Sequence, residues 1–256
     1  MTKTALVTGA ATGLGREVAL QLAKRDVAVA VVDLQEEGLR ETFAQLGGAP
    51  GSHLSIQADL TSAKAPEHVV SQCVEKWGHL DLVVNNAALG VIEPFFESTA
   101  DLWNKTLAIN VTALLLLTVA AGNRMKARRS GRIVNLTSPA ARMALPNYAA
   151  YAASKAAVDS VTRTCAIALA PFGVLVNSVA PGMMDTEMQR ITESKLAEVE
   201  NRPNLEAFLE ERTRRVPLGR RAEVSEVADV VIWLLLDAPA YVTAARINAS
   251  GGLDKD

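Results

Sequence analysis

Cysteine is nearly missing: the 256 residues hold only Cys73 and Cys165, far apart and in no paired spacing. That excludes a cysteine zinc site and suits a reducing compartment, with each thiol a small core residue. Histidine is as scarce. His53, His68 and His79 stand at no ligand spacing, so no metal centre is expected. Neither sign of charge dominates: 26 Lys and Arg against 28 Asp and Glu leave a net charge of −2, too little to draw the chain to nucleic acid or an anionic membrane. The basic clusters Lys126, Arg128 and Arg129, and Arg212, Arg214, Arg215, Arg220 and Arg221, read as solvated faces or helix ends. Low-complexity sequence, internal repeats and flexible linkers are missing too. No apolar stretch reads as uninterrupted enough to span a bilayer, and a first strand expected from Thr4 leaves no room for a secretory segment. These exclusions point to the cytoplasm. What remains, 49% hydrophobic and 21% charged, suits one large α/β domain over residues 1–256.

The α/β rhythm starts at once. Residues 4–7 are β-prone and lead into Gly9-Ala10-Ala11-Thr12-Gly13-Leu14-Gly15, after which Leu14, Val18 and Leu22 recur at helical spacing. Glycines open backbone conformations closed to other residues and let a ligand approach the main chain. The N–H groups at the start of the helix then favour a phosphate. The spacing is G-x-x-x-G-x-G, not the G-x-G-x-x-G of the general dinucleotide fingerprint. Residues 27–32 are an unbroken Val and Ala run, as a parallel strand covered on both faces should be. It ends at Asp33, placed to accept hydrogen bonds from an adenosine ribose and to repel a 2′-phosphate, which favours NAD over NADP. A helix-capping or turn role is the alternative for Asp33.

Further strands are expected at 54–57, closing on Asp59-Leu60, at 80–84, closing on Asn85-Asn86-Ala87-Ala88, and at 132–136, closing on Thr137-Ser138. Ligands bind at such carboxyl edges. The Asn pair either contacts a cofactor or bonds neighbouring loops. Residues 101–128 read as one long helix around Asn110, whose amide must find partners and so either braces the fold or serves a site. In the helix from 151 to 170, Tyr151 and Lys155 share a face. A fixed ammonium favours the phenolate, making the pair a general acid/base for a hydroxyl or carbonyl oxygen. Tyr148 is a rival, but Ala152 stands four residues after it. Ser138 can approach Tyr151 and donate to a substrate oxygen. A strand at 174–180 ends in Pro181-Gly182. Residues 183–217 then break the rhythm with two short helices around Pro203, read as a lid over the substrate. Arg142, Met143, Tyr148, Met184 and Met188 are candidates for the pocket wall. A helix at 223–236 and a strand at 245–249 finish the pattern.

Taken together, these motifs resemble the short-chain dehydrogenase/reductase family along nearly the whole chain. Thr8, Gly9, Gly13 and Gly15 match its T-G-x-x-x-G-x-G loop. Asp59, Asn85-Asn86-Ala87, Asn110, Ser138, Tyr151, Lys155 and Pro181-Gly182 stand where the family has them. The resemblance implies a doubly wound Rossmann-type domain, a seven-stranded parallel sheet with helices on both faces. It implies a nicotinamide cofactor held by Gly9, Thr12, Gly13, Leu14, Gly15, Asp33, Asp59, Leu60, Asn86, Ala87, Tyr151, Lys155, Pro181, Gly182 and Thr186. In that likeness Tyr151 exchanges the proton, Ser138 orients the reacting oxygen, Lys155 holds the nicotinamide ribose and lowers the tyrosine pKa, and Asn110 anchors a relay water. Asp33, with no basic residue before Gly13, implies NAD. The implied reaction interconverts a small secondary alcohol and a ketone. An NADPH-dependent 3-oxoacyl-type reductase is the alternative, and a silent NAD sensor a weaker one. Pairing through the helices at 101–128 and 150–170 implies a homotetramer or dimer. The chain departs from the family at Ala88, where a glycine is common, at Pro139 after the serine, and at Ser250, where an aspartate is common.

Overall fold

The computed structural model describes residues 2–48 and 51–254. Of the expected span 1–256, residues 1, 49, 50, 255 and 256 lie outside the described residues. Seven strands, β1 Thr4–Thr8, β2 Ala28–Asp33, β3 Leu54–Gln57, β4 Leu82–Asn85, β5 Gly131–Leu136, β6 Val174–Pro181 and β7 Arg246–Ala249, form one sheet. Its order is β3-β2-β1-β4-β5-β6-β7, with every neighbouring pair parallel. The order reverses between β1 and β4, which opens a crevice outside their carboxyl ends.

Alternation along each strand divides the core in two. Ala5 and Val7 of β1 and Val29 and Val31 of β2 face the helices α1 (Gly13–Ala23) and α9 (Val224–Ile232). Leu6, Ala30 and Val32 face the other side, with α3 (Ala65–Trp77), α5 (Leu114–Arg128) and α6 (Ala149–Leu169). A third, small cluster of Leu196, Ala197 and Phe208 joins α7 (Glu187–Val199) to α8 (Leu205–Arg214), with Ile92, Tyr148 and Leu209 packed on it. The two helices predicted around Pro203 are therefore present. A helix not expected from the sequence, α2 (Glu36–Gln45), buries only Leu39 and Thr42, too thin an apolar stripe to register as periodicity.

The predicted helix 101–128 is not uniform. It runs as α4 (Ala100–Leu107), a π turn over Ala108–Ala113, and α5. Such a turn adds one residue to the ladder and is common at functional sites; here it contains Asn110. The stretch Ala100–Arg128 also corrects one expectation, for its length and hydropathy reach those of a membrane span. Half of its most apolar window is buried inside the fold, on α3 and the sheet. The rotation of α5 and α6 is set by a buried polar ladder. Asn85 Nδ2 donates to Thr118 Oγ1 (3.0 Å) and Asn135 Oδ1 (2.8 Å). Asn135 Nδ2 donates to Thr162 Oγ1 (2.9 Å). Stranding one such group costs about 1–3 kcal/mol, so the ladder specifies which face of α6 meets the carboxyl edge. That face carries Tyr151 and Lys155.

Candidate active site

Helix α6 begins after Tyr148, and its Ala-rich first turns suit a helix that packs tightly on its neighbours. Lys155 is buried, its Nζ donating to the Leu136 carbonyl at the end of β5 (2.8 Å), while Thr137 Oγ1 donates to the Lys155 carbonyl (3.1 Å). Strand β5 thus delivers Ser138 beside α6. Ser138 caps a 3-10 turn at Pro139–Ala141, its Oγ accepting from Ala140 N (3.2 Å), and its side chain stands beside the Tyr151 phenol and favours the phenolate. The departure at Pro139 has a local reason: the ring pre-sets the backbone at the first position of that turn. Ser138, Tyr151 and Lys155 are brought together as the sequence predicted.

Their electrostatics differ from expectation. Burial pushes the Tyr151 phenol above its ordinary value, and Ser138 offsets this only in part. The Lys155 ammonium lies 5.7 Å from the Tyr151 ring centroid and gives one of its three protons to Leu136. Lys155 is not among the groups that shift the phenol in this arrangement. Burial instead brings Lys155 itself down to about 8, against the field of Asp159, which raises it.

Asn110 is fully buried. Its Oδ1 accepts from Leu89 N (2.7 Å), and its Nδ2 donates to Leu89 O (3.1 Å) and Ser154 Oγ (2.9 Å). Ser154 Oγ in turn donates to the Tyr151 carbonyl (2.7 Å). Both amide hydrogens are used, so the side chain braces the β4 loop against α6, while its Oδ1 keeps a second lone pair. The Asn pair also braces. Asn86 Nδ2 donates to the carbonyls of Thr8 and Gly9 (both 3.0 Å), and Thr8 Oγ1 accepts from the N–H groups of Asn86 and Ala87 (3.0 and 3.1 Å).

The glycine loop has the shape of a phosphate cradle. Helix α1 opens at Gly13 without a side-chain cap on Thr12 and without an acidic residue in its first turn, leaving N–H groups and a positive dipole end for an anion. Leu14 is buried in the core and offers only its backbone. Gly9 and Gly13 have φ of +64° and +54°, conformations that favour glycine. Gly15 is required for a different reason: a Cβ there would lie 2.1 Å from the Gly9 carbonyl oxygen. Gly15→Ala is expected to destabilise the fold by about 1–3 kcal/mol and to weaken dinucleotide binding. Gly13→Ala meets only Thr186 Cγ2 at 3.5 Å and costs about 1 kcal/mol from backbone strain. Thermal unfolding and cofactor titration of the two variants check this ranking.

Asp33 ends β2, its Oδ2 accepting from Ala11 N and its Oδ1 from Gln35 N (both 3.0 Å). Each oxygen keeps lone-pair capacity for a ribose hydroxyl, so the carboxylate serves the turn and fits a dinucleotide too. Asp59 is exposed and held below its ordinary value by hydrogen bonds from the Thr61 side chain and N–H; Leu60 is buried. Pro181 ends β6, and Gly182 follows so tightly that a Cβ would fall 2.7 Å from Ser250 Cα. Thr186 caps α7, its Oγ1 accepting from Gln189 N (3.3 Å). The loop, Asp33 and Thr186 together fit a nicotinamide dinucleotide.

Of the expected pocket wall, Tyr148 stands 6.4 Å from Tyr151 between ring centroids. Burial pushes its phenol up, and a hydrogen bond to Arg212 opposes this. Met188 is 47% exposed and lies over Gly90 of the β4 loop, its Sδ 3.2 Å from where a Cβ would be. Arg142 is exposed at the end of the 3-10 turn, and Met143 is 38% exposed. Met184 is partly buried, packs on the α1–α9 core and bridges to Ala222. Arg212 and Arg221, expected on solvated faces, instead converge on buried Glu193. Sequence reasoning also passed over Thr8 as a brace and Arg16, which bonds Thr42 Oγ1 (2.9 Å) and the Ala11 carbonyl under the loop. The Thr8–Asn86 spacing alone carries no signal of their contact. No group of metal-ligating side chains occurs among the described residues.

A parallel sheet with a glycine-rich cradle at its switch point, and a Ser-Tyr-Lys set beside it, defines an oxidoreductase that uses a nicotinamide dinucleotide. Residues 9–254 match the family model described as "Enoyl-(Acyl carrier protein) reductase". The chain belongs to the short-chain dehydrogenase/reductase family. It is 34% identical to a sorbitol dehydrogenase of Cereibacter sphaeroides, over 98% of this chain and 96% of that one. Among solved structures it resembles an actinorhodin polyketide ketoreductase with NADPH, at TM-score 0.94 and 33% identity over 100% and 98% of the two chains. It also resembles an NAD+-bound xylitol dehydrogenase, at TM-score 0.90 and 31% identity over 98% of each.

Proposed function

We propose that this protein is an NAD-dependent oxidoreductase that interconverts a small secondary alcohol and its ketone. The observation that carries the reading is the placement of Ser138 beside the Tyr151 phenol, where it favours the phenolate, with Lys155 one helical turn behind. The dinucleotide, when bound, supplies hydride exchange at the carbinol carbon. The N–H groups of Gly13, Leu14 and Gly15 would hold its phosphates, Asp33 the adenosine ribose and Lys155 the other ribose. Ser138 donates a hydrogen bond to the substrate oxygen, and Tyr151 exchanges a proton with it. Asn110 positions α6 through Ser154. A phenol held above its ordinary value stays protonated at neutral pH. Tyr151 is then an acid ready to protonate a carbonyl oxygen, and alcohol oxidation gains as pH rises.

Residues 1–256 act as one domain in this reading, with 183–217 as its substrate lid; Met188 against Gly90 supports that role. Leu116 and Val119 on α5 and Ile167 on α6 are exposed, which supports a homo-oligomer, dimer or tetramer, paired across these helices. Two unpaired thiols suit the cytoplasm. The sorbitol and xylitol dehydrogenases make polyols the first substrates to try. The NADPH ketoreductase favours the second reading, an NADPH-dependent 3-oxoacyl-type reductase. The test follows reduced-nicotinamide absorbance while polyols and cyclic alcohols are offered with NAD and then NADP. Turnover with NAD supports the first reading, and a strong preference for NADPH with oxoacyl substrates replaces it. Asp33→Asn keeps an acceptor for Ala11 and removes the charge. It is expected to weaken NAD about tenfold to a hundredfold and to narrow the preference over NADP, read by titrating each cofactor.

A further inference from the structure

We propose that Arg246, on β7 at the edge of the sheet, is a positioning residue for the reaction, gripping Ser138 by its carbonyl and Asp159 by its carboxylate so that Ser138 and Lys155 are held in register. The inference rests on the roles assigned above to Ser138, Tyr151 and Lys155. Arg246 Nη2 donates to the Ser138 carbonyl (3.0 Å) and lies 2.5 Å from Asp254 Oδ2. Its Nε stands 3.1 Å from Asp159 Oδ2, and its Nη1 bonds Asn248 Oδ1. The three charged side chains are only 9% (Arg246), 9% (Asp159) and 2% (Asp254) exposed.

A charge so buried persists only when paired, and two of the partners of Arg246 belong to the reacting set's own supports. Ser138 is the residue whose side chain stands beside the Tyr151 phenol. Asp159 stands one helical turn past Lys155, and its field keeps the proton on that ammonium against burial. Asp159 Oδ1, Asp254 Oδ2 and Arg246 Nε itself have no hydrogen-bond partner, so both carboxylates are held to Arg246 by charge and not by directed hydrogen bonds. The last turn is recruited as well: Asp254 N donates to Ser250 Oγ (3.2 Å), at the position where the family often has an aspartate. Lys155 thus faces Tyr151 and Asp159 from α6, the Leu136 carbonyl from β5, and, through Asp159, Arg246 of β7 and Asp254 of the terminal turn.

Three variants test this. Arg246→Lys keeps the charge but cannot span four partners; kcat is expected to fall about tenfold to a hundredfold, while the KM for the dinucleotide stays unchanged because the glycine loop and Asp33 are untouched. Asp159→Asn is expected to move the titration of Lys155 to lower pH, followed in the protein without cofactor by the NMR shift of the Lys155 ε-carbon. The combined Arg246→Met, Asp159→Asn, Asp254→Asn variant removes all three buried charges, is expected to fold, and should still lose kcat. Wild-type kcat in Arg246→Lys and in the combined variant overturns the proposal. So does a loss of kcat that only tracks thermal unfolding while the Lys155 titration stays where it was. If the wild-type protein turns over no alcohol or ketone, the functional reading fails by itself, and the Lys155 titration still decides the role of the cluster.

Discussion

Replacing Tyr151 with phenylalanine is expected to lower kcat by roughly 10²–10⁴-fold and to leave cofactor affinity unchanged. The ring stays in the helix face fixed by the polar ladder, Lys155 keeps its bond to Leu136, and the glycine loop is not touched. Only the hydroxyl is lost, and with it the proton donor beside Ser138. Tyr148→Phe is the control, because its ring lies 6.4 Å away and its hydroxyl serves Arg212. It should raise the substrate KM and spare most of kcat. Stopped-flow turnover on both variants separates the two tyrosines; full activity in Tyr151→Phe would falsify the assignment. The pH dependence carries the same sign. Burial holds the Tyr151 proton on, so the wild-type protein should reduce ketones best toward neutrality and oxidise alcohols faster as pH climbs. Above about 8 the Lys155 charge is lost as well.

Glu193→Ala should cost about 3–5 kcal/mol, the usual penalty for breaking a buried ion pair from one side. Glu193 is 1% exposed and accepts from Arg212 Nε (3.0 Å) and from Arg221 Nη1 and Nη2 (2.8 and 3.0 Å). Truncation strands two guanidinium groups, while Glu193→Gln keeps the acceptor oxygen and should cost less. The loss should be local. The cluster ties α7, α8 and the segment before α9 to one another, and the apolar cluster beneath them is small, made of Leu196, Ala197 and Phe208. Hydrogen exchange in α7 and α8 should therefore rise before exchange in the sheet does, and the substrate KM should rise with cofactor affinity little changed. Acid should act the same way. Burial alone would raise the Glu193 carboxyl, but hydrogen bonds from Arg221, Gln189 and Arg212 overcome it and hold the group below its ordinary value. Its stabilisation is present above the ordinary glutamate range and is lost as pH falls through the depressed folded value. Protection of α7 and α8 that is unchanged on acidification, or in Glu193→Ala, would remove the cluster from this role.

The elements that were legible in the sequence are those whose cause is local. A strand buried on both faces is written as a Val and Ala run, as at 27–32. The cradle is written as glycines, because Gly9 and Gly13 need positive φ and Gly15 needs to have no Cβ. Tyr151 and Lys155 share a face because helical spacing alone puts them there. Helix α2 stayed hidden because its buried stripe is two residues wide.

Other features depended on contacts distant in the chain. The π turn at Ala108–Ala113 is held by the bonds of Asn110 to Leu89 and Ser154, and nothing in the period of residues 101–128 marks it. Arg212 and Arg221 look like any solvated basic run until the fold brings Glu193 between them. Lys155 and Tyr151 carry their chemistry in their residue types, yet burial reversed the expected direction of the tyrosine pKa and brought the lysine down. Backbone conformation and side-chain periodicity follow from near neighbours, so the sequence by itself determined the sheet, the cradle and the family. The fate of a charge or a polar group follows from what distant segments place beside it and from how much water they exclude, so only the tertiary structure decided the protonation of the site, the bracing role of Asn110 and the partners of Arg212, Arg221 and Arg246.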